Sequence, residues 1–343
     1  MTLNRHSRPT AWACFAAASV ALAALGAGTP PADAQTFVLK TGTATIGDVQ
    51  NEWQKRWGAR VEKRAGGRIK VEIYPGSQIG SIPRMIEGLQ LGTLECWIGP
   101  PEFLVGHEPR FQMLGAPGIF ADMDHAYRVI TDPKFRETVF ELGEAKGMKG
   151  VSLLVYGPTS YATRKPIRKL DDFKGLKIRV FASPIQTLPL ERLGATAAPM
   201  PLSEVVPALQ RGAIDGNRTG ITIFTTFKYW DILKPVTETH DAIVFSIAMV
   251  SKLWYDKLPP DLQKALMEEG AAVEKELHDW TVDFNNKARN LWKEKGGELI
   301  KLSPADQAEL VKRLSTVGDE VAAKQPQLKA IYDLLVSTAK ARR

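Results

Sequence analysis

The stretch that decides the fold is Val49–Gly76, VQNEWQKRWGARVEKRAGGRIKVEIYPG. Val49, Trp53, Trp57 and Val61 recur every four residues, which places them on one helical face, and Gly66-Gly67 stops the helix. Directly after it, Ile69, Val71 and Ile73 alternate with charged residues, the period-two pattern of a strand. Outward from this pair, TFVLKTGT (36–43) is a strand ending in small polar residues. IPRMIEGLQLGTLE (82–95) is a second helix, and CWIGP (96–100) is a short buried strand closed by Pro100-Pro101. Strand–helix–strand–helix–strand specifies a mostly parallel sheet with helices on both faces. Such sheets present ligands at the carboxyl ends of their strands.

The same plan returns further along. Val151–Tyr156 is an apolar strand running into Gly157-Pro158. In KGLKIRVFASP (174–184), Leu176, Ile178 and Val180 alternate, so Arg179 and Phe181 point together to the opposite side. SEVVPALQRGAIDG (203–216) echoes residues 82–95, a helix ending in Leu-Gln and a step to a strand, so a second α/β unit is expected. Pro260–Gly296 is one long helical pattern whose apolar stripe comprises Leu262, Leu266, Val273, Leu277, Trp280, Phe284, Ala288 and Leu291. At roughly 50 Å it exceeds a small domain and is expected to lie across both. The stripe slips near Gly270, which is read as a bend where alanine would stabilise the helix. Residues 303–324 form a capped helix with Ser303 at the N-cap and Pro304 at its first position.

The N-terminus carries Arg5 and Arg8, an Ala-rich apolar run from Ala11 to about Ala27, and Ala32 and Ala34 in a small-x-small pattern. This is a secretory signal over residues 1–34, with cleavage after Ala34 and a periplasmic destination. The remaining chain keeps one cysteine, Cys96, and cannot form an internal disulfide, so large packed cores must hold it. Loss of Arg5, Arg8 and Asp33 takes the formal net charge from +7 to +6. That excess suits an anionic ligand, but no Lys/Arg block is interleaved with aromatics as nucleic-acid binding would require.

Catalytic chemistry finds little support. His107, His125, His240 and His278 show no metal-ligand spacing, and one cysteine cannot build a structural zinc site. STAK (337–340) and KTG (40–42) resemble serine β-lactamase motifs but stand in the wrong order, the first in a tail expected to fray. A periplasmic hydrolase or lyase acting on a small organic acid stays as the alternative to a binding protein. Arg179, at a strand end, offers a guanidinium fork that matches a carboxylate; pairing with a core carboxylate is the competing reading. Trp97 and Phe103 are expected to be core aromatics, while Tyr156 and Phe181 stand as candidates for the ligand wall.

Taken together, GGRIKVEIYPGSQIG, HAYRVI, RKPIRKLDDFKGLKIRV, GATAAPMPLSEVVPALQRGAIDG and LPPDLQKALMEEG make the chain resemble the solute-binding proteins of tripartite ATP-independent periplasmic (TRAP) transporters over nearly all of its length. The resemblance implies an α/β fold of two lobes with hinge strands and a long domain-spanning helix. Lobe I would hold residues 35–156 plus 245–284, and lobe II residues 157–244 plus 285–343. It implies no cofactor, no metal and no enzyme activity, a small organic-acid ligand, TRAP membrane permease subunits as partners, and a monomer. By the same resemblance, Arg179 makes a bidentate salt bridge to the ligand carboxylate. Asn217 and Thr219 contribute polar contacts, with Thr219 replacing the usual amide. Thr159 stands where some relatives have a second arginine, Pro100 makes a drier wall, and His240 is either part of the hinge-side wall or a core histidine.

Overall fold

The computed structural model describes residues 36–343; the expected signal segment and cleavage point lie outside the described residues. Asp48 caps the first helix, Val49–Ala65, by accepting from the backbone N–H groups of Gln50 and Asn51, and Gly66 closes it in the left-handed conformation. Both caps satisfy groups that a helix end leaves open. The four residues that defined its face are buried, and Trp53 and Trp57 stack at 4.5 Å.

Among the described residues ten strands form: β1 (Phe37–Gly42), β2 (Ile69–Tyr74), β3 (Cys96–Gly99), β4 (Met148–Thr163), β5 (Lys177–Val180), β6 (Thr196–Pro199), β7 (Gly216–Gly220), β8 (Pro235–Thr237), β9 (Ile243–Ser251) and β10 (Glu298–Ile300). Their order is β2-β1-β3-β9-β4-β7-β5-β6, with β8 and β10 branching from β4. The pairs β1–β2, β1–β3, β5–β6 and β5–β7 are parallel. The expectation of a mostly parallel sheet holds within each half and fails between them. There, β4 and β9 run antiparallel to each other and to their outer neighbours.

β4 also overruns its expected end. It continues through Gly157-Pro158 to Thr163, with a register shift against β9 between Val155 and Gly157. A bulge absorbs the glycine and proline that would otherwise break the ladder. A Cβ at Gly157 would lie 2.5 Å from Asn285 Oδ1, so the long helix passes directly over this point.

That helix spans Pro260–Glu294. Its first half packs on helix Val49–Ala65, where Trp57 Nε1 donates to Leu266 O and Arg60 pairs with Glu269. Its last turns carry Trp292 against Phe224 and Trp230 of the second half. The expected stripe is correct up to Leu277 and again at Ala288, but otherwise rotates. Trp280, Phe284 and Leu291 are only half-buried, and Thr281, Asn285 and Trp292 face inward. Over the hinge the helix meets backbone rather than side chains, and Asn285 Nδ2 donates to Tyr156 O.

The Gly270 reading is overturned. A Cβ there would lie 2.8 Å from Val151 O and 2.9 Å from Ser152 Oγ, so the glycine allows close packing on β4. At the C-terminus Ser303 accepts from Asp306 N as expected, but two helices follow, Pro304–Leu314 and Val317–Ala323. Residues 337–340 do not fray: they belong to a helix, Pro326–Ala341, whose Thr338 and Ala339 are buried.

Candidate functional site

A cleft forms where the carboxyl ends of the parallel strands from the two halves face one another. Thr45 follows β1, Pro100 and Phe103 follow β3, Arg179 and Phe181 end β5, and Thr219 lies near the end of β7; Tyr156 and Val244 enter from the hinge strands. The empty space among these residues, counting what opens to solvent, is about 390 Å³.

Arg179 is buried, with 1 % of its surface exposed. In the β5–β7 register it lies beside Asn217, so Arg179, Asn217 and Thr219 share one face of the sheet. Its Nε and Nη2 donate to Met200 O at 3.0 and 2.9 Å, and Nη1 donates to Asn217 Oδ1 at 3.4 Å. All three contacts are to neutral acceptors, and two of its five N–H groups remain. Burial pulls the guanidinium down to about 10, and the charges of Tyr229 and Glu102 offset this only in part. It stays a cation at neutral pH. Its carbon centre sits 4.9 Å from the centroid of the Phe181 ring, a favourable cation–π placement.

A second buried arginine, Arg218, lies one residue from Asn217 and is treated differently. Its Nη2 meets Asp241 Oδ2 at 2.6 Å, with both side chains 1 % exposed. Burial acts to raise the Asp241 carboxyl, but Arg218, helped by the Thr239 and Thr159 hydroxyls, holds it below its ordinary value. Gln186 Oε1 accepts from Arg218 Nη1, and Gln186 Nε2 donates to Glu102 Oε1 at 2.9 Å. Glu102 comes from the turn after β3 and Gln186 from the helix after β5, so this contact crosses the cleft. Burial pushes Glu102 up to about 7, against the charges of Arg218 and Arg179.

On the opposite wall the N-terminus of the first helix is tied to the hinge. Tyr156 Oη donates to Asp48 Oδ2 at 2.8 Å, Thr45 Oγ1 donates to Asp48 Oδ1 at 2.7 Å, and Gln50 Nε2 donates to Ser246 Oγ at 3.0 Å. Burial raises the Asp48 carboxyl despite these bonds.

A cation held by neutral partners, between two α/β lobes joined by hinge strands, is the geometry of an anion-binding cleft. A family model for bacterial extracellular solute-binding proteins, family 7, matches residues 42–325. The chain belongs to that family. A solute-binding protein of Albidiferax ferrireducens is 32% identical over 73% of this chain and 77% of its own. The C4-dicarboxylate-binding periplasmic protein of Rhodobacter capsulatus is 28% identical over 86% and 89%. A TRAP periplasmic solute-binding protein of Desulfovibrio salexigens, solved with bound orotic acid, shares the fold at a TM-score of 0.85, with 21% identity over 90% of this chain and all of its own.

As a family 7 solute-binding protein, the chain serves transport and is not an enzyme, and the hydrolase or lyase alternative falls with that. Among the described residues no helix is long and apolar enough to cross a membrane. Of the residues singled out in sequence, Arg179, Phe181, Tyr156, Pro100 and Thr219 line the solute-binding protein's cleft. Asn217 sits against Arg179. Thr159 is elsewhere: buried in the hinge, its hydroxyl donates to Asp241 Oδ1 at 2.9 Å.

His240 is neither wall nor core. It is 41 % exposed, lies 3.7 Å from Glu238, and has φ of 48° beside Arg289. Phe103, expected in the core, lines the cleft, 5.7 Å from Phe181. Sequence reasoning missed Gln50 and Glu102. Gln50 carried a signal, since Asp48 followed by two amides at a helix start marks a cap. So did Glu102, a charged residue between two prolines and an aromatic.

Proposed function

We propose that this solute-binding protein captures a small organic anion in the periplasm and delivers it to a TRAP-type membrane permease. Arg179 holds the carboxylate through its two remaining N–H groups. The observation that carries this reading is a buried guanidinium whose hydrogen-bond partners are all neutral. A cation taken out of water without a counter-ion is costly, and an incoming carboxylate supplies the missing charge. The net charge of the surroundings agrees: Arg218 is neutralised by Asp241, and Glu102 is drawn towards its protonated form. Relatives named for C4-dicarboxylate and solved with orotic acid both concern carboxylates.

Lobe I takes residues 36–156 plus 245–284 and lobe II residues 157–244 plus 285–325, while the last helix, Pro326–Ala341, packs back on lobe I, where Ala339 O meets His125 Nε2 at 2.8 Å and Arg342 pairs with Asp132 at 2.6 Å. The register shift at Val155/Gly157 and the Asn285 contact to Tyr156 support a crossing between the lobes at this point. Closure is favoured only by the ligand's greater affinity for the closed form. The chain acts as a monomer after removal of residues 1–34, which N-terminal sequencing and mass measurement on periplasmic material check. Thr219 borders the carboxylate and Asn217 fixes the guanidinium; Thr159 and His240 act through the hinge and not on the solute.

The test is titration of wild-type and Arg179→Lys protein with organic acids, read by tryptophan fluorescence. Lysine keeps the charge and loses the fork, so its binding should fall steeply while the fold persists. Wild-type affinity in Arg179→Lys would refute the bidentate assignment.

A further inference from the structure

We infer that the solute is a monocarboxylate with an apolar body, carrying at most one further polar group beside its carboxylate, rather than a polyhydroxylated sugar acid or a dicarboxylate. This rests on the reading of Arg179 given above and adds the class of molecule that the rest of the cleft accepts.

The argument is an inventory of hydrogen-bonding capacity. Most polar side chains in the wall are already engaged with the protein. The Tyr156 hydroxyl donates to Asp48 and so does that of Thr45. The Gln50 carbonyl accepts from Thr43 at 2.6 Å, and its amide nitrogen donates to Ser246. Among the described residues, the lining side-chain donors left over are two N–H groups of Arg179, one N–H of Gln50 and the Thr219 hydroxyl, while the Tyr156 and Thr45 hydroxyls keep only acceptor lone pairs. The first pair matches one carboxylate. The second pair can serve one more oxygen, such as a 2-oxo or 2-hydroxy group.

Beyond that point the wall is Ile82, Ile98, Pro100, Phe103, Leu202 and Ile223, with no hydrogen-bonding side chain. A buried hydroxyl without a partner loses roughly ten-fold in affinity, and a sugar acid would bury several there. A second carboxylate would need a second free cation. The other buried guanidinium near the cleft, Arg218, is bound to Asp241 at 2.6 Å. The same wall favours a hydrocarbon body. Phe103 and Phe181 stand 5.7 Å apart and inclined at 53°, offering aromatic surface against which a flat ring or a branched chain packs.

Isothermal titration calorimetry with four sodium salts tests the inference: phenylacetate, 4-methyl-2-oxopentanoate, galactonate and succinate. Phenylacetate, 4-methyl-2-oxopentanoate or both should bind about 100-fold or more tightly than galactonate and succinate, the equivalent of two lost hydrogen-bonding groups. Binding of galactonate or succinate at equal or greater affinity overturns the apolar-body inference and leaves the Arg179 reading intact. Failure of all four to bind to folded protein overturns both.

Discussion

Two arginines, buried to the same 1 %, come from neighbouring strands, yet they do different work. Arg218 is closed off: Asp241 faces it at 2.6 Å, and Asp241 is itself held by the Thr159 and Thr239 hydroxyls of the hinge. Arg179 is held in place by a carbonyl and an amide and keeps its charge uncompensated. Equal burial therefore says little about a buried charge; the charge of its partners decides its role. A compensated arginine belongs to the scaffold, whereas the uncompensated one at a strand end in the cleft is the one proposed above as the receptor for an anion.

The comparison is broken most directly at the scaffold pair. Asp241→Ala strands Arg218 in a buried site and should destabilise the protein by about 3–5 kcal/mol, measured by urea denaturation. A loss below 1 kcal/mol would mean that the pair is not structural. Arg179→Met should do the reverse. Organic-acid affinity drops by about 2–5 kcal/mol, because a fully desolvated charge partner is gone, while the melting temperature holds or rises. Calorimetric titration and a thermal melt on the same sample decide it, and a cooperative loss of fold would make Arg179 a second scaffold residue.

Glu102 sharpens the contrast through pH, since it is linked to Arg218 through Gln186. Its pKa in the fold is raised, to about 7, against 4.5 for the free side chain. The folded state thus binds the proton more tightly than the unfolded chain. Stability from this group is complete below pH 4.5 and declines as pH rises to about 7, where it levels off. Thermal melts of wild type and Glu102→Gln across that range should converge at acid pH. Above it the variant should be the more stable, by up to a few kcal/mol. Parallel curves would remove Glu102 as a titrating member of the cross-cleft contact. The smallest effect lies away from both arginines, where the long helix packs on β4. Gly270→Ala pushes a methyl group into the backbone of β4 and should cost about 1–3 kcal/mol; a stabilised variant would restore the reading of Gly270 as a bend.

Much of this protein is decided locally. Residue periodicity specified the first helix, the strands around it and the long helix, because a buried face repeats at 3.6 or 2 residues whatever lies opposite. Strand alternation placed Arg179 and Phe181 on one side, and both line the cleft. The capping of Ser303 is equally local, a hydroxyl three residues from its amide.

Contacts between distant segments decided the rest. Whether Arg179 or Arg218 carries the free charge depends on Asp241, which no local pattern assigns to either. β4 survives its glycine and proline because β9 shifts register beside it, and Gly270 is required because Val151 O lies where a methyl would stand. The inward face of the long helix turns from Trp280 and Phe284 to Thr281 and Asn285 because backbone of the hinge lies below. Glu102 gains its raised pKa only through burial in the tertiary structure, against the lowering pull of Arg218, Gln186 and Arg179. The sequence by itself determined most of the elements, and the buried faces of the first helix and of the long helix up to Leu277. The tertiary structure alone decided which buried charge is left without a partner, because desolvation and pairing depend on everything within a few ångströms, however far apart in the chain.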